Sequence, residues 1–377
     1  MNLKNVNNSL LLKGQDSFGA VLPLFVFLLP FSALLPHSHL AAGLWVVGAL
    51  LLVRPALPIR FSARERVFLL FLLCALSGAV LPLSRARSVL SALLRLVFFL
   101  PIFASSARRA IKTGLLFAGG ALGALSLLSL ALGYGKTGYT DPTLAGELAR
   151  AAPVFGNPNV LAAFLLPPTL LSLGEMLFPS QDGTRRMFSG AVFLLGAGGI
   201  CATFSRGALL ALCLGVALLA VWRMGAWRAA LLFFSSLPLL LLLLPDTLCA
   251  RLSSVLSPDS SVLYRLSLWR SVLRLPFRSL LFGGGEGKEA MMALLSPVLA
   301  SGLLHIEHTH SLFLHVLVAD GLVGLLLFLV FCALSLWKSR RAGTVSAVLA
   351  LLCYGIFDDP LYSGQTEVIF WLSFGLL

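Results

Sequence analysis

Apolar runs of about 15–22 residues recur along nearly the whole chain, separated by short basic or Gly/Pro-containing stretches. That recurrence constrains the fold more than any single motif. A bilayer interior offers backbone groups no water partner, which restricts spanning segments to helices or closed barrels. The runs are continuous rather than alternating, so helices are predicted. With 58% hydrophobic and 11% charged residues in 377, and a mean hydropathy of +0.96, the composition excludes a soluble domain. The expected fold is an all-α polytopic membrane protein of about 12 transmembrane helices. The candidate spans are 18–36, 39–53, 66–83, 89–105, 114–133, 158–178, 187–204, 206–222, 228–245, 311–336, 343–357 and 365–377. The last run is short for a full crossing, and no internal repeat is apparent.

Three parts follow: a membrane bundle over 1–245 with about nine spans, a loop subdomain over 246–310, and about three C-terminal spans over 311–377. The formal charge of +13 does not point to nucleic acid, because most basic residues fall in short loops, where they set topology. With the N-terminus in the cytoplasm, the inner loops hold Arg54/Arg60/Arg64/Arg66, Arg108/Arg109/Lys112, Arg185/Arg186, Arg223/Arg228 and Lys338/Arg340/Arg341. The outer side then holds 134–157, 246–310 and Asp358-Asp359. Phe18–Leu35 lacks a small-residue cleavage site and reads as a retained first span. Five of the six cysteines fall inside apolar runs, with no CxxC and no disulfide framework.

Outer basic residues go against the topological bias. Arg85 and Arg87 suit a solvated interface. Arg206, in Thr203-Phe204-Ser205-Arg206-Gly207-Ala208, sits at a tight turn between two apolar runs. A guanidinium at that depth needs a carboxylate or a phosphate-bearing ligand. Asn157-Pro158-Asn159 opens the sixth span, where Asn and Pro are ordinary helix-start residues and contact with substrate is the alternative. Residues 260–282 read as one helix lying along the membrane, with Arg270, Arg274 and Arg278 on a basic stripe suited to lipid headgroups. Arg265 lies off that stripe with Trp269 one turn on, a pairing that could grip a diphosphate while a sugar stacks on the indole. Phe282-Gly283-Gly284-Gly285-Glu286-Gly287 is a glycine loop without the Gly-Lys-Ser/Thr of a phosphate-binding Walker loop. His305, His308 and His310 crowd with Glu307 against the start of the run 312–331. His308 and His310 at i, i+2 would need extended backbone to share an ion, and no metal is expected.

Three islands together resemble the O-antigen ligase family, which shares a domain with O-antigen polymerases and some protein O-oligosaccharyltransferases. They are Ser205-Arg206-Gly207-Ala208, then Arg265-x3-Trp269 with Pro276 and Gly283-x-Gly285, then His310-Ser311-x9-Gly321-x-x-Gly324. The last is similar to that family's His-[Asn/Ser/Gln]-x9-Gly-x-x-Gly pattern, with Ser311 in place of the more frequent Asn. The resemblance runs from about Asn157 to Phe331. It implies transfer of a glycan from an undecaprenyl-diphosphate carrier to a hydroxyl acceptor such as the lipid A core, at the periplasmic face of the bacterial inner membrane. His310 is the implied base, and Arg206 and Arg265 bind the diphosphate, with no cofactor and no metal. Trp269, His308, Asn157, Asn159, Ser311, Gly283 and Gly285 complete the substrate-binding candidates. Expected partners are the lipid-linked donor, the acceptor and membrane lipids, with no nucleic acid. The chemistry fits independently: a neutral imidazole takes a hydroxyl proton near neutral pH, and guanidiniums stabilise a leaving diphosphate. Competing readings are a polymerase, a protein O-oligosaccharyltransferase and, from another class, a lipid-linked glycan flippase or transporter. Against the transporter stands a scarcity of intramembrane acids able to couple to an ion gradient.

Overall fold

A computed structural model describes residues 21–52, 61–77, 82–103, 105–133, 136–140, 147–178, 183–232, 235, 260–299, 306, 308–337 and 339–377. Its helices follow the apolar runs. Ser38–Leu52 (α1), Ala63–Ser77 (α2), Pro82–Arg95 (α3) and Ser105–Leu132 (α4) precede a two-stranded hairpin. After the hairpin come Pro158–Leu177 (α5), Gly183–Ala202 (α6) and Arg206–Met224 (α7). The remainder is Ser260–Leu273 (α8), Phe277–Phe282 (α9), Lys288–Leu295 (α10), Leu312–Trp337 (α11), Ala342–Phe357 (α12) and Gly364–Leu376 (α13). Among the described residues, four helices are long and apolar enough to cross a membrane: Ala107–Leu132, Pro158–Leu177, Arg206–Met224 and Leu312–Trp337. Val21–Leu34, Ser38–Leu51 and Ala342–Phe357 are shorter apolar helices. The outside of the bundle carries large apolar side chains such as Leu44, Leu51, Leu194 and Trp337, as lipid-facing surfaces do.

The expected short final run, α13, has its whole length from Gly364 to Leu376 buried. Its Trp371 sits in an aromatic core with Phe68, Phe71, Phe331 and Phe374, ring centroids 5.1–6.1 Å apart. Helix α5 is the second central element, buried from Leu161 to Glu175. Its start is set locally: the Asn157 side chain accepts from the Asn159 N–H at 2.9 Å, with Pro158 at the first helical position.

Four departures from expectation have physical causes. The run 89–105 is not one helix. α3 ends at Arg95, a 3-10 turn covers Leu96–Phe99, and Leu100–Phe103 resumes, because Pro101 has no N–H for the Val97 carbonyl. The helix predicted over 260–282 is two helices, since Pro276 interrupts it between α8 and α9, and Arg278 falls on the second. The polar segment 134–157 contains antiparallel strands Lys136–Thr140 (β1) and Glu147–Ala151 (β2), Lys136 opposite Ala151. Helix α11 breaks at Gly321 (φ 72°), where the glycine loop docks: Gly284 N–H and Gly285 N–H donate to the Val318 and Ala319 carbonyls at 2.8 and 2.9 Å. A Cβ on Gly283 or Gly321 would strike the backbone opposite, so both positions need glycine. His305, Glu307, Arg54, Arg60, Lys338, all of 246–259 with Cys249, and most of the 228–245 span lie outside the described residues.

Candidate active site

Three tight backbone turns bring the candidate residues together. The turn Thr203–Ser205 joins α6 to α7, with Phe204 left-handed (φ 50°), and starts α7 at Arg206. In the second, His310 is itself left-handed (φ 52°) immediately before α11. Left-handed backbone at a non-glycine residue is costly and persists where surrounding contacts over-determine it. Those contacts are visible at His310. Trp269 Nε1 on α8 donates to the Thr309 carbonyl at 3.0 Å, and Ser311 Oγ reaches the Gly355 carbonyl on α12 at 3.4 Å. The third turn, Asp358–Ser363, links α12 to α13. It presents Asp358, whose Oδ1 also accepts from the Asp359 N–H at 2.9 Å.

Arg206, Arg265 and His310, 59 and 45 residues apart in sequence, line one cavity of about 180 Å³. Asp358, Arg150 and Asn159 share it, and Tyr354 closes one side, donating to the Asn159 carbonyl at 3.0 Å. Arg150, delivered by β2, donates to the Thr203 carbonyl at 2.7 Å and to Asn159 Oδ1 at 2.9 Å, tying the hairpin to the Arg206 turn. Arg265 Nη2 lies 3.8 Å from Asp358 Oδ2, and its buried Nε has no hydrogen-bond partner. Among the described residues, three guanidiniums and one carboxylate therefore line this cavity. Such an excess of positive charge in a shielded cleft suits a polyanion such as a diphosphate.

The imidazole geometry fixes a tautomer. Asp358 Oδ1 is 3.3 Å from both His310 Nδ1 and His308 Nε2. An ionised carboxylate only accepts, so those two nitrogens carry the protons and His310 Nε2 is left as the basic site. Burial would raise the Asp358 carboxyl, but the hydrogen bonds from His308 and His310 and the Arg265 charge hold it well below its usual range. His310 is lowered from its ordinary value, first by burial and then by His308 and Arg265, against the opposing pull of Asp358. A neutral imidazole oriented by a carboxylate is the arrangement of a general base. Among the described residues, His308, His310 and Asp358 also bring three metal-type donor atoms within 4.8 Å of one another.

The other sequence candidates play different parts. Trp269 and Ser311 secure the histidine segment, and Asn157 caps α5. Gly283 packs against the α11 break. Gly285 and His308 line a separate cavity of about 270 Å³. Sequence reasoning missed Arg150, Asp358 and Tyr354. The signal that singled out Arg206, a basic residue on the outer side, applied equally to Arg150. Asp358-Asp359, in a chain with 15 acids, ends an apolar run and could have been weighed against the histidines.

A second polar cluster was also unforeseen. Arg95, fully buried, meets Glu286 at 2.5 Å, Asp320 at 3.2 Å and Glu367 at 3.6 Å. His315 bridges Glu286 (2.9 Å) and Asp359 (2.6 Å). Acids are thus present inside the bundle, contrary to the scarcity read from sequence, but each is bound to Arg95 or His315.

No curated protein matches the chain. The family model described as O-antigen ligase matches residues 191–329, which include Arg206, Arg265, His310 and the glycines Gly321 and Gly324. Arg150 and Asp358 lie outside the match. This mostly helical chain, with four candidate membrane-spanning helices among the described residues, thus matches the O-antigen ligase family model over residues 191–329.

Proposed function

We propose that the protein transfers a glycan from an undecaprenyl-diphosphate carrier to a hydroxyl acceptor, with the lipid A core as the acceptor that the family match favours. The reading places the site at the periplasmic face of a bacterial inner membrane, with the N-terminus cytoplasmic and about 12 spans around an outer segment at 246–310. The observation that carries it is the meeting of Arg206, Arg265 and His310 from three separate sequence islands in one cation-rich cavity, with Asp358 behind the imidazole.

In this scheme the acceptor O–H bond breaks and its proton passes to His310 Nε2. The oxygen forms a bond to the anomeric carbon, whose bond to the diphosphate oxygen breaks with the electron pair leaving on that oxygen. Arg206 and Arg265 hold the growing charge, and Arg150 keeps the Arg206 turn in place. Asp358 stabilises the imidazolium that forms and remains a carboxylate. The one-step displacement inverts the anomeric centre. No cofactor enters, because the glycosyl–diphosphate bond supplies the driving force.

The test is an incubation of purified protein with an undecaprenyl-diphosphate glycan, with and without lipid A core. Product formed with the core and lost in His310→Ala establishes ligation. Longer carrier-linked chains without core establish a polymerase, and absence of product in both tubes overturns the transfer reading.

A further inference from the structure

Asp358 meets His310 through an oxygen that is already shared. Its Oδ1 lies against His310 Nδ1, His308 Nε2 and the Asp359 N–H, while Oδ2 is 3.8 Å from the Arg265 guanidinium. Helical backbone does not hold this carboxylate, because Asp358 is extended (φ −153°, ψ 178°) where α12 ends. The shape of the Asp358–Ser363 turn therefore depends on side-chain anchors. Asp359 is such an anchor. Its Oδ1 accepts from the Leu361 N–H at 2.9 Å, and its Oδ2 accepts from His315 Nδ1 at 2.6 Å.

His315 stands one turn into α11, its N–H donating to the Ser311 carbonyl at 2.8 Å. The helix start that delivers His310 to Asp358 thus also delivers His315 to the adjacent acid. On the other side of the ring, His315 Nε2 donates to Glu286 Oε2 at 2.9 Å. Glu286 is fixed in turn: its other oxygen takes Arg95 at 2.5 Å, and its N–H donates to the Ser88 hydroxyl at 3.1 Å. Glu286 and Asp359 are both buried. The series Glu286–His315–Asp359 therefore runs from the closed Arg95 cluster to the peptide N–H that touches Asp358. Apolar packing would join these elements without setting an angle, whereas hydrogen bonds from both edges of a planar ring set one.

We propose that His315 is a positioning residue for the base: through Asp359 it sets the peptide N–H that aims Asp358 Oδ1 at His310 Nδ1. Asp358 held in that place keeps the proton on Nδ1 and leaves Nε2 of His310 as the basic site. The proposal rests on the transfer reading above for the word base, but not for the holding of the carboxylate.

The experiment uses the full-length protein in proteoliposomes and compares two variants. His315→Asn places an amide N–H where Nδ1 was and still reaches Asp359, whereas the longer side chain of His315→Gln reaches Glu286 instead. Both remove any charge on the ring, so the retained hydrogen bond is what differs. His315→Gln is expected to lower kcat by up to about 10²-fold, the cost of misplacing a reacting group by about 1 Å, with the donor KM within about twofold of wild type. His315→Asn keeps the bond to Asp359 and stays within about threefold of the wild-type kcat. Combining His315→Gln with Asp358→Asn is no slower than Asp358→Asn alone, because both changes act on one contact. Nitrogen NMR of histidine-labelled protein above neutral pH reads the tautomer without turnover, with His310 assigned from the His310→Ala spectrum. Nε2 is the lone-pair nitrogen in wild type and His315→Asn, and the opposite tautomer appears in His315→Gln. Equal losses in the two variants, additive losses in the double variant, or a His310 tautomer unchanged in His315→Gln overturns the proposal. Absence of transfer in wild type, with the tautomer still following residue 315, removes the transfer reading and leaves the held carboxylate standing.

Discussion

The two charged regions of this molecule are imbalanced in opposite directions. Around Arg95, one guanidinium meets three carboxylates and lies over the Phe71 ring at 4.8 Å. Around His310, three guanidiniums and one carboxylate line a cavity among the described residues, with Arg265 3.8 Å from Asp358. The Arg95 cluster is closed, with every side chain in it buried or nearly so. It fastens α3, the glycine loop, α11 and α13 to one another, which is a structural role. The His310 region keeps an open cavity lined by cations, which suits an anionic ligand. Burial of charge alone does not mark function here; the sign of the imbalance and the cavity beside it do.

Substitutions separate the two regions most sharply where they act on rate in one and on stability in the other. His310→Ala is expected to lower transfer by about 10²–10⁴-fold, the usual contribution of a general base, with the melting temperature unchanged. Arg206→Ala and Arg265→Ala each lower kcat by about 10²–10³-fold, the effect of removing one charge-stabilising donor from a transition state. Arg95→Ala strands three buried carboxylates and costs about 3–5 kcal/mol, read as a loss of thermal stability or of extractable folded protein. If Arg95→Ala folded normally and lost transfer, the contrast would collapse and Arg95 would belong to the site.

Smaller effects test finer points. Gly283→Ala forces a Cβ against the Ala319 carbonyl at a left-handed position and is expected to destabilise by about 1–3 kcal/mol, with donor KM unchanged in whatever protein remains folded. For pH, burial together with His308 and Arg265 lowers His310 from 6.5. The basic form is therefore present above a midpoint that lies below 6.5, and kcat/KM falls as pH drops through it. Asp358→Asn removes the groups that oppose that lowering, so the acid limb moves to still lower pH while the plateau falls. An acid limb that stayed in place in Asp358→Asn would mean another group controls it. In the Arg95 region the corresponding balance favours the ion: burial raises Glu286, but His315 and then Arg95 hold it at about 2.

Much of the helix framework was legible because bilayer physics writes it into composition. A run such as 206–222 has no alternative to a helix, and α7 covers it. The breaks were partly legible: Pro276 and Pro101 remove an N–H whatever surrounds them, yet both lay inside stretches read as single helices. Arg206, Arg265 and His310 could be named because their chemistry is out of place for a membrane-edge sequence. Asp358 could not be assigned to His310, since 48 residues and two helices, α11 and α12, separate them. Gly283 and Gly285 looked like ligand-binding loop residues, and the first proved to be a close backbone contact with Gly321.

By itself, the sequence determined that this chain fills a membrane with helices and carries basic and imidazole chemistry at their ends, because desolvation penalties act residue by residue. Only the tertiary structure decided which charges pair. Arg95 finds Glu286, Asp320 and Glu367 across gaps of 191, 225 and 272 residues, while Arg206 and Arg265 face a cavity. Electrostatic attraction depends on distances that helix packing sets, and local sequence carries no record of them.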